Sequence, residues 1–431
     1  MESQDTIENL EKSIAALQKA LEEHTLERSP MDYASTQNNL GNAYSIFAGY
    51  RDPVENLELA ICAYEEALKV RTLDGTPMDY AGTQNNLGNA YANLAGYREP
   101  VDNLERAVRA YEEALKVYTL NDTPMDYVMT QNNLGNAYQT LAGYREPVEN
   151  LERAVGAYEE ALKVNTLDRA PMYYAGTQNN LGAAYQTLAS YQEPVENLER
   201  AVGAYEEALK VYTLEHAPMD YSMTRNNLGN AYRNLAGYRD PVENLEQSIA
   251  AYEEALCVYT LDRAPMDYAM TQNNLGITYK ELAKYREPVE NLERAVRTYE
   301  EALKVRTLDR APMDYAMTQG NLGNVYRNLA QHQEPGLNLQ KSRMAFEEVL
   351  QVFTRVQSPI YYARTMGNLA VVYRELAQVE NREEHCREAR RCLNEALEIY
   401  TEKDFPLDYQ RMMRIQKDID EICGQVRQEQ K

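Results

Sequence analysis

The chain has 431 residues, a net charge of −23, 44% hydrophobic and 26% charged residues, and an aromatic set of 35 Tyr, four Phe and no Trp. Acidity of this size keeps a long chain soluble and disfavours non-specific binding to nucleic acid or an anionic membrane surface. No apolar run approaches the roughly 20 residues that a membrane-spanning helix needs, and the start, Met1-Glu2-Ser3-Gln4-Asp5, lacks the basic and apolar regions of a signal peptide. Heavy use of a single aromatic residue points to a copied unit.

Proline marks the period. Pro30, Pro77, Pro124, Pro171, Pro218, Pro265, Pro312, Pro359 and Pro406 stand 47 residues apart. Before the first, Glu8-Asn9-Leu10-Glu11-Lys12 aligns with Asp102-Asn103-Leu104-Glu105-Arg106, so residues 1–29 read as a half-repeat made of one second-type helix. Residues 30–405 read as eight tandem helix pairs. Residues 406–431 read as a final first-type helix whose later polar residues suit a cap.

Within a unit, taking 77–123, Thr76-Pro77 serves as N-cap and first helical residue, with Asp79 placed to favour the helix dipole. Helix A is expected to run to about Ala95 and stop at Gly96-Tyr97, and helix B to run from Pro100 to about Thr119. At about 100° per residue, Tyr80, Leu87, Tyr91 and Leu94 share one face of helix A. Leu104, Ala107, Val108, Tyr111, Ala114, Leu115 and Tyr118 share one face of helix B. Neither stripe can be buried by one helix, so the repeats must stack. The Glu-Glu pairs of helix B, such as Glu112-Glu113, read as a solvated outer face. Gln84 and its equivalents fall on the buried side and, since buried amides need partners, are expected to tie adjacent repeats.

Leu87, Gly88, Tyr91, Ala107, Tyr111 and Ala114 carry a recognisable pattern that recurs through Tyr299 and then weakens to Ser342, Phe346 and Val349. In this the chain resembles the tetratricopeptide repeat family, in a long variant similar to the kinesin light chain type. The resemblance implies an all-α fold, a right-handed α-solenoid of antiparallel helix pairs, with the A helices lining a concave surface that binds proteins or peptides.

The polar arc of helix A, opposite its apolar stripe, is then the candidate groove. Its most regular member is the Asn before Leu: Asn39, Asn86, Asn133, Asn180, Asn227, Asn274, Asn321 and Asn368. A second row is Asn42, Asn89, Asn136, Asn230 and Asn324, replaced by Ala183, Ile277 and Val371. A carboxamide offers donors and an acceptor, so a ladder of them suits the backbone of an extended peptide. The competing reading is that these residues cap or bridge helices inside the scaffold. Beside them, Arg233, Lys280, Arg327 and Arg374, with Arg364, make the second half of the groove basic and suit an acidic segment or a carboxylate. The alternative there is pairing with Glu281, Glu375 or helix B acids.

Other chemistry finds little footing. The four histidines lie near no plausible nucleophile and acid, and no glycine-rich phosphate loop occurs, so neither an enzyme nor a cofactor is expected. Cys62, Cys257, Cys386, Cys392 and Cys423 are few, odd in number and scattered, which suits reduced thiols in a cytoplasmic protein. His385, Cys386 and Cys392 share a helix, without a second ligand pair for a metal. The other functional readings are a regulatory or sensor subunit beside a caspase-like protease or an NTPase, and a self-associating array. Composition leaves the oligomeric state open.

Overall fold

The computed structural model describes residues 2–424, with side chains from Asp5 onward. These residues form eighteen helices and no strands. Helix α1 (Glu2–Glu23) precedes eight A/B pairs: α2/α3 (Pro30–Phe47, Pro53–Leu68), α4/α5 (Pro77–Ala95, Pro100–Leu115), α6/α7 (Pro124–Ala142, Pro147–Leu162), α8/α9 (Pro171–Leu188, Pro194–Leu209), α10/α11 (Pro218–Ala236, Pro241–Ala255), α12/α13 (Pro265–Leu282, Pro288–Leu303), α14/α15 (Pro312–Leu329, Pro335–Leu350) and α16/α17 (Pro359–Leu376, Arg382–Leu397). Helix α18 (Pro406–Gly424) follows. The chain divides at Thr213/Leu214 into two compact units, α1 to α9 and α10 to α18. Within each unit every helix packs on its neighbours in sequence, forming a solenoid.

Small residues set the spacing. Ala107 and Ala114 on α5 and Ala81 on α4 have no exposed surface, as have their counterparts Ala154, Ala161 and Val128. The Gly of each Leu-Gly pair lets the B-helix aromatic lie flat on helix A. A Cβ on Gly88 would stand 2.6 Å from Tyr111 Cε1, and one on Gly135 would stand 2.6 Å from Tyr158 Cε1. In the last pair Ala370 occupies the glycine position, and Leu393 replaces the tyrosine opposite it. The two changes fit one another, since the branched aliphatic leaves room for the methyl that a ring excludes.

The helix ends depart from expectation in three ways. Helix B closes at Leu115, four residues short of Thr119. Lys116 and Val117 turn with bonds to Glu113 O and Ala114 O, which brings Tyr118 in against Ala81 and Ala114. Thr76 occupies the N-cap of α4 without a side-chain capping bond, and its buried Oγ1 has no partner. Pro77 removes one N–H that a cap would serve and presets φ, which explains why Ala170 and Ala217 stand at the same place. Gly96 is right-handed at φ −68°, so it is no left-handed stop. The left-handed residue is Glu99, at φ 46° directly before Pro100, and its equivalents from Asp52 to Asn381 do the same.

A non-glycine residue there costs on the order of 1–3 kcal/mol. The compensation comes from a buried Asn one turn on. Asn103 Nδ2 donates to Arg98 O at 2.9 Å, and Asn56, Asn150, Asn197, Asn244, Asn291 and Asn338 repeat the bond. In α17 the pattern lapses. Asn381 itself takes the left-handed position without a following proline, and His385 stands where the Asn would be, both ring nitrogens buried and without partners.

The cysteines are not all reduced. Cys386 of α17 and Cys423 of α18 form a disulfide with Cα atoms 5.8 Å apart, which corrects the expectation of five free thiols. Two cysteines 37 residues apart in sequence meet because α18 folds back against α17; spacing alone gave no sign of it. Cys392 is a buried free thiol, and Cys62 and Cys257 are exposed. No described helix is long and apolar enough to cross a membrane.

Candidate functional site: the face of the A helices

The polar groups of helix A are organised by two hydroxyl-based joints, of which the sequence suggests only the second, as the bridging alternative for the Asn rows. The first uses the Glu-Glu pairs read above as a solvated face. Tyr80 donates to Glu113 Oε2 of its own repeat at 2.8 Å, and Tyr33, Tyr127, Tyr174, Tyr268 and Tyr315 repeat the bond to Glu66, Glu160, Glu207, Glu301 and Glu348. The other Glu of a pair accepts from the following repeat. Tyr91 donates to Glu65 and Tyr138 to Glu112, each at 2.8 Å; Tyr185 donates to Glu159 and Tyr279 to Glu253. One carboxylate thus closes a repeat and its neighbour closes the junction. Glu113 and Glu160 are held below the usual carboxylate range, first by Lys116 and Lys163 and then by the tyrosines. The helical period puts these acids on the polar side, and the Tyr hydroxyls reach them over the helix shoulder.

The second joint is the asparagine row. Tyr64 donates to Asn42 Oδ1 at 2.8 Å, Tyr111 to Asn89 at 2.7 Å, Tyr158 to Asn136 at 2.7 Å and Tyr252 to Asn230 at 2.7 Å. The same Oδ1 accepts a second bond from the next repeat: Asn86 Nδ2 to Asn42, Asn133 to Asn89 and Asn180 to Asn136, at 3.1, 3.1 and 3.3 Å. Exceptions follow the chemistry. Where Ala183 replaces the acceptor, Tyr205 donates to Gln186 instead. Where Ile277 replaces it, the buried Tyr299 hydroxyl has no partner, and Asn321 turns to Asn273. Burial pushes Tyr64 up to about 12, and the hydroxyl stays a donor.

These bonds engage one N–H of the Asn before Leu and the oxygen of its neighbour. Asn86 and Asn133 make no bond through Oδ1 among the described residues, and both are half-buried. The Asn one residue earlier belongs to packing: Asn38, Asn85 and Asn132 accept from Thr83, Thr130 and Thr177 of the next repeat. Gln84, expected to bridge repeats, instead neighbours Tyr80 on its own helix, and Gln272 Oε1 is buried without a partner. On this face the bonds between repeats come from Tyr, Asn and Thr, with the buried Arg71 and Arg306 donating to Thr83 and Thr318 of the next repeat.

The basic stripe of the second unit is shared with acids. Arg374 bonds Asp418 of α18 at 2.7 Å and Glu375 at 3.1 Å, as the alternative reading anticipates. Burial raises Glu375, against the pull of Arg327 and Arg374. Burial lowers Lys280, which Glu281 opposes and Lys284 and Arg233 reinforce. Arg364 is exposed, its guanidinium 4.7 Å from the Tyr361 ring centroid.

Two recesses open on this face. In the first unit a volume of about 390 Å³ is lined by Asn89, Ala92, Asn93, Asn133, Asn136 and Thr140 over Tyr111. In the second unit about 370 Å³ is lined by Asn321, Asn324, Asn368, Arg364 and Arg411, over Phe346, Val349 and Phe353.

Antiparallel helix pairs stacked in sequence, with the Gly of one helix closed by an aromatic of the next, define a helical-repeat scaffold. Four segments of the chain, residues 81–119, 222–256, 269–307 and 363–406, match the model of the tetratricopeptide repeat family. Among solved structures it is similar to the apo form of RapI, at 13% identity over 92% of this chain and 98% of that one, with a TM-score of 0.51. BtubC from P. vanneervenii is 20% identical over 61% of this chain and 94% of its own, with a TM-score of 0.42. A STAND signal-transduction ATPase with a tetratricopeptide repeat sensor, from Pyrococcus horikoshii, is 17% identical over 89% of this chain and 55% of its own, with a TM-score of 0.48. The RapI likeness is one of fold. The sequence matches no curated protein at a significant level.

Proposed function

We propose that the chain is a non-enzymatic scaffold that holds an extended peptide or partner segment along the A helices, the carboxamides of the Asn before Leu contacting its backbone. The observation that carries this reading is the pair of recesses lined by those carboxamides, with the Oδ1 of Asn86 and Asn133 left over after the scaffold bonds are made. The same atoms then have two tasks, holding adjacent repeats with one N–H and offering the remainder to a ligand. A net hydrogen bond contributes roughly 0.5–1.5 kcal/mol, and ordering a free peptide offsets much of it. Several rungs in register are therefore required. Asn39, Asn180, Asn227, Asn274, Asn321 and Asn368 supply the remaining rungs in this proposal, and Arg233, Lys280, Arg327, Arg364 and Arg374 supply the charge that favours an acidic segment.

The test is panning of a random dodecapeptide phage library on the intact chain and on an Asn86→Ala/Asn133→Ala/Asn321→Ala/Asn368→Ala variant, with circular dichroism confirming equal helicity. Peptides retained by the parent and released by the variant support the ladder. Equal retention by both would leave those Asn residues a purely internal role, and no enrichment on the parent would sink peptide binding itself.

A further inference from the structure

The recess of the second unit differs from its counterpart in the first by a set of changes that all act at one place. Gly320 replaces the Asn of the packing row and lines the recess, and a Cβ there would make an ordinary contact with Val349 Cγ2 at 3.7 Å. Phe346 replaces the tyrosine and removes its hydroxyl, which makes the floor apolar with Val349 and Phe353. At the rim stand two guanidiniums. Arg411, from α18, donates to Asn368 Oδ1 at 3.4 Å, and Arg364 lies over Tyr361. Neither forms an ion pair among the described residues, although Asp408 shares their neighbourhood around Tyr400. Two guanidiniums thus flank an apolar floor in this recess.

A methionine row leads to this place. Met223, Met270 and Met317 occupy one register position on α10, α12 and α14 and are 40%, 38% and 54% exposed; Arg364 has that position on α16. The corresponding residues in the first unit are Ser35, Gly82, Met129 and Gly176. Thr271 to Asn226 and Thr318 to Asn273 bonds hold these A helices in the register that lines the row up. Methionine, unbranched and polarizable, accommodates apolar side chains of varied shape. Guanidinium forks recognise a carboxylate with charge-assisted bonds.

We propose that this row and recess form a single binding site for a peptide segment in which apolar side chains are followed by an acidic one. The apolar residues lie on Met223, Met270 and Met317, and the Asp or Glu carboxylate is held between Arg364 and Arg411. This rests on the reading of the A-helix face as a peptide-binding surface and names the chemistry of its occupant.

The dodecapeptides enriched on the intact chain supply the probes, resynthesised with fluorescein and titrated by anisotropy. A consensus of two or more apolar residues and one Asp or Glu is expected. Arg364→Gln/Arg411→Gln should weaken binding about tenfold or more, the loss of one charge-assisted contact. Replacing the peptide's acid by its amide should weaken binding to the parent and leave binding to that variant unchanged. Met223→Ser/Met270→Ser/Met317→Ser should weaken binding whatever the acid. The single variants Arg364→Gln and Arg411→Gln serve if the double variant melts early. Peptides that bind the parent and the arginine variants equally would overturn the site. If those peptides still depend on the asparagines, the site fails and the ladder stands. If nothing is enriched, both readings fall together.

Discussion

Tyr158 and Tyr299 hold the same place in two repeats and meet different surroundings. Tyr158, in the first unit, donates to Asn136 at 2.7 Å and to Gln139 at 3.0 Å, and its ring lies against Gly135. Tyr299, in the second, is as deeply buried, but Ile277 stands where the Asn would be and the hydroxyl has no partner. The next repeat drops the hydroxyl altogether at Phe346 and loosens the packing at Gly320. The first unit keeps its polar relay intact, with only the Ala183 acceptor missing. The second relaxes the relay step by step. Both units open a recess on this face, and what the relaxation changes is its lining: carboxamides over a tyrosine in the first, an apolar floor flanked by Arg364 and Arg411 in the second.

The largest contrast should come from glycine. Gly135→Ala puts a methyl into the Tyr158 ring and should destabilise the first unit by about 1–3 kcal/mol. Gly320→Ala meets only Val349 at 3.7 Å and removes helix-interior glycine, so it should be neutral or stabilising by up to about 1 kcal/mol. Urea midpoints followed by hydrogen exchange on α6/α7 and α14/α15 measure both. Equal effects at the two positions would break the comparison.

Hydroxyl removal gives a smaller difference of opposite sign. Tyr158→Phe removes the one hydroxyl proton that Asn136 and Gln139 share, while Asn136 keeps its bond from Asn180, an expected cost of about 1 kcal/mol. Tyr299→Phe removes an unsatisfied buried group and should raise the melting temperature of the second unit. A loss at Tyr299 as large as that at Tyr158 would show a partner for its hydroxyl.

Most of this was legible before the structure. The 47-residue ruler at the prolines, the helix pairing and the Leu-Gly close contact need only periodicity and side-chain volume, and the A helices start where Pro77 and its equivalents stand. The Tyr–Glu joint was not legible. Nothing in the pattern says that Glu112 and Glu113, adjacent on a polar face, serve different repeats, because that depends on how far two phenols lean across a helix boundary. The Asn rows were found by their regularity, yet regularity cannot tell a bond to the next repeat from a bond to a ligand. The sequence shows Met223, Met270 and Met317 at one register position, but not that packing leaves all three exposed.

Acid should separate α6/α7 from α16 next. Glu66, Glu113, Glu160 and Glu207 are lowered, chiefly by their Lys partners. Their contribution is complete above the ordinary value near 4.5 and is lost as pH falls through the lower folded value. Glu375 is raised by burial, so protonating it as pH falls relieves the second unit. Exchange in α6/α7 should therefore accelerate on acidification more than exchange in α16, and Glu375→Gln should narrow the difference to the part that Glu160 supplies. Identical acid profiles for the two segments would contradict this.

Thiol labelling gives the smallest effect. Cys62 and Cys257 are exposed, while burial pushes Cys392 up to about 12. Iodoacetamide should modify two cysteines in the native oxidised chain. Reduction should add Cys386 and Cys423 and leave Cys392 to react only on unfolding, as read by intact mass.

The paired glutamates have a consequence for how such a chain changes length. Each copy presents one carboxylate inward and one forward, and each brings the phenol that its predecessor needs, so every boundary is cut to a common gauge. Any copy with that gauge can follow any other. Whole units can be gained or lost by recombination without redesigning a boundary, and the gauge lapses in the last copy, where Asn394 stands in place of the forward carboxylate.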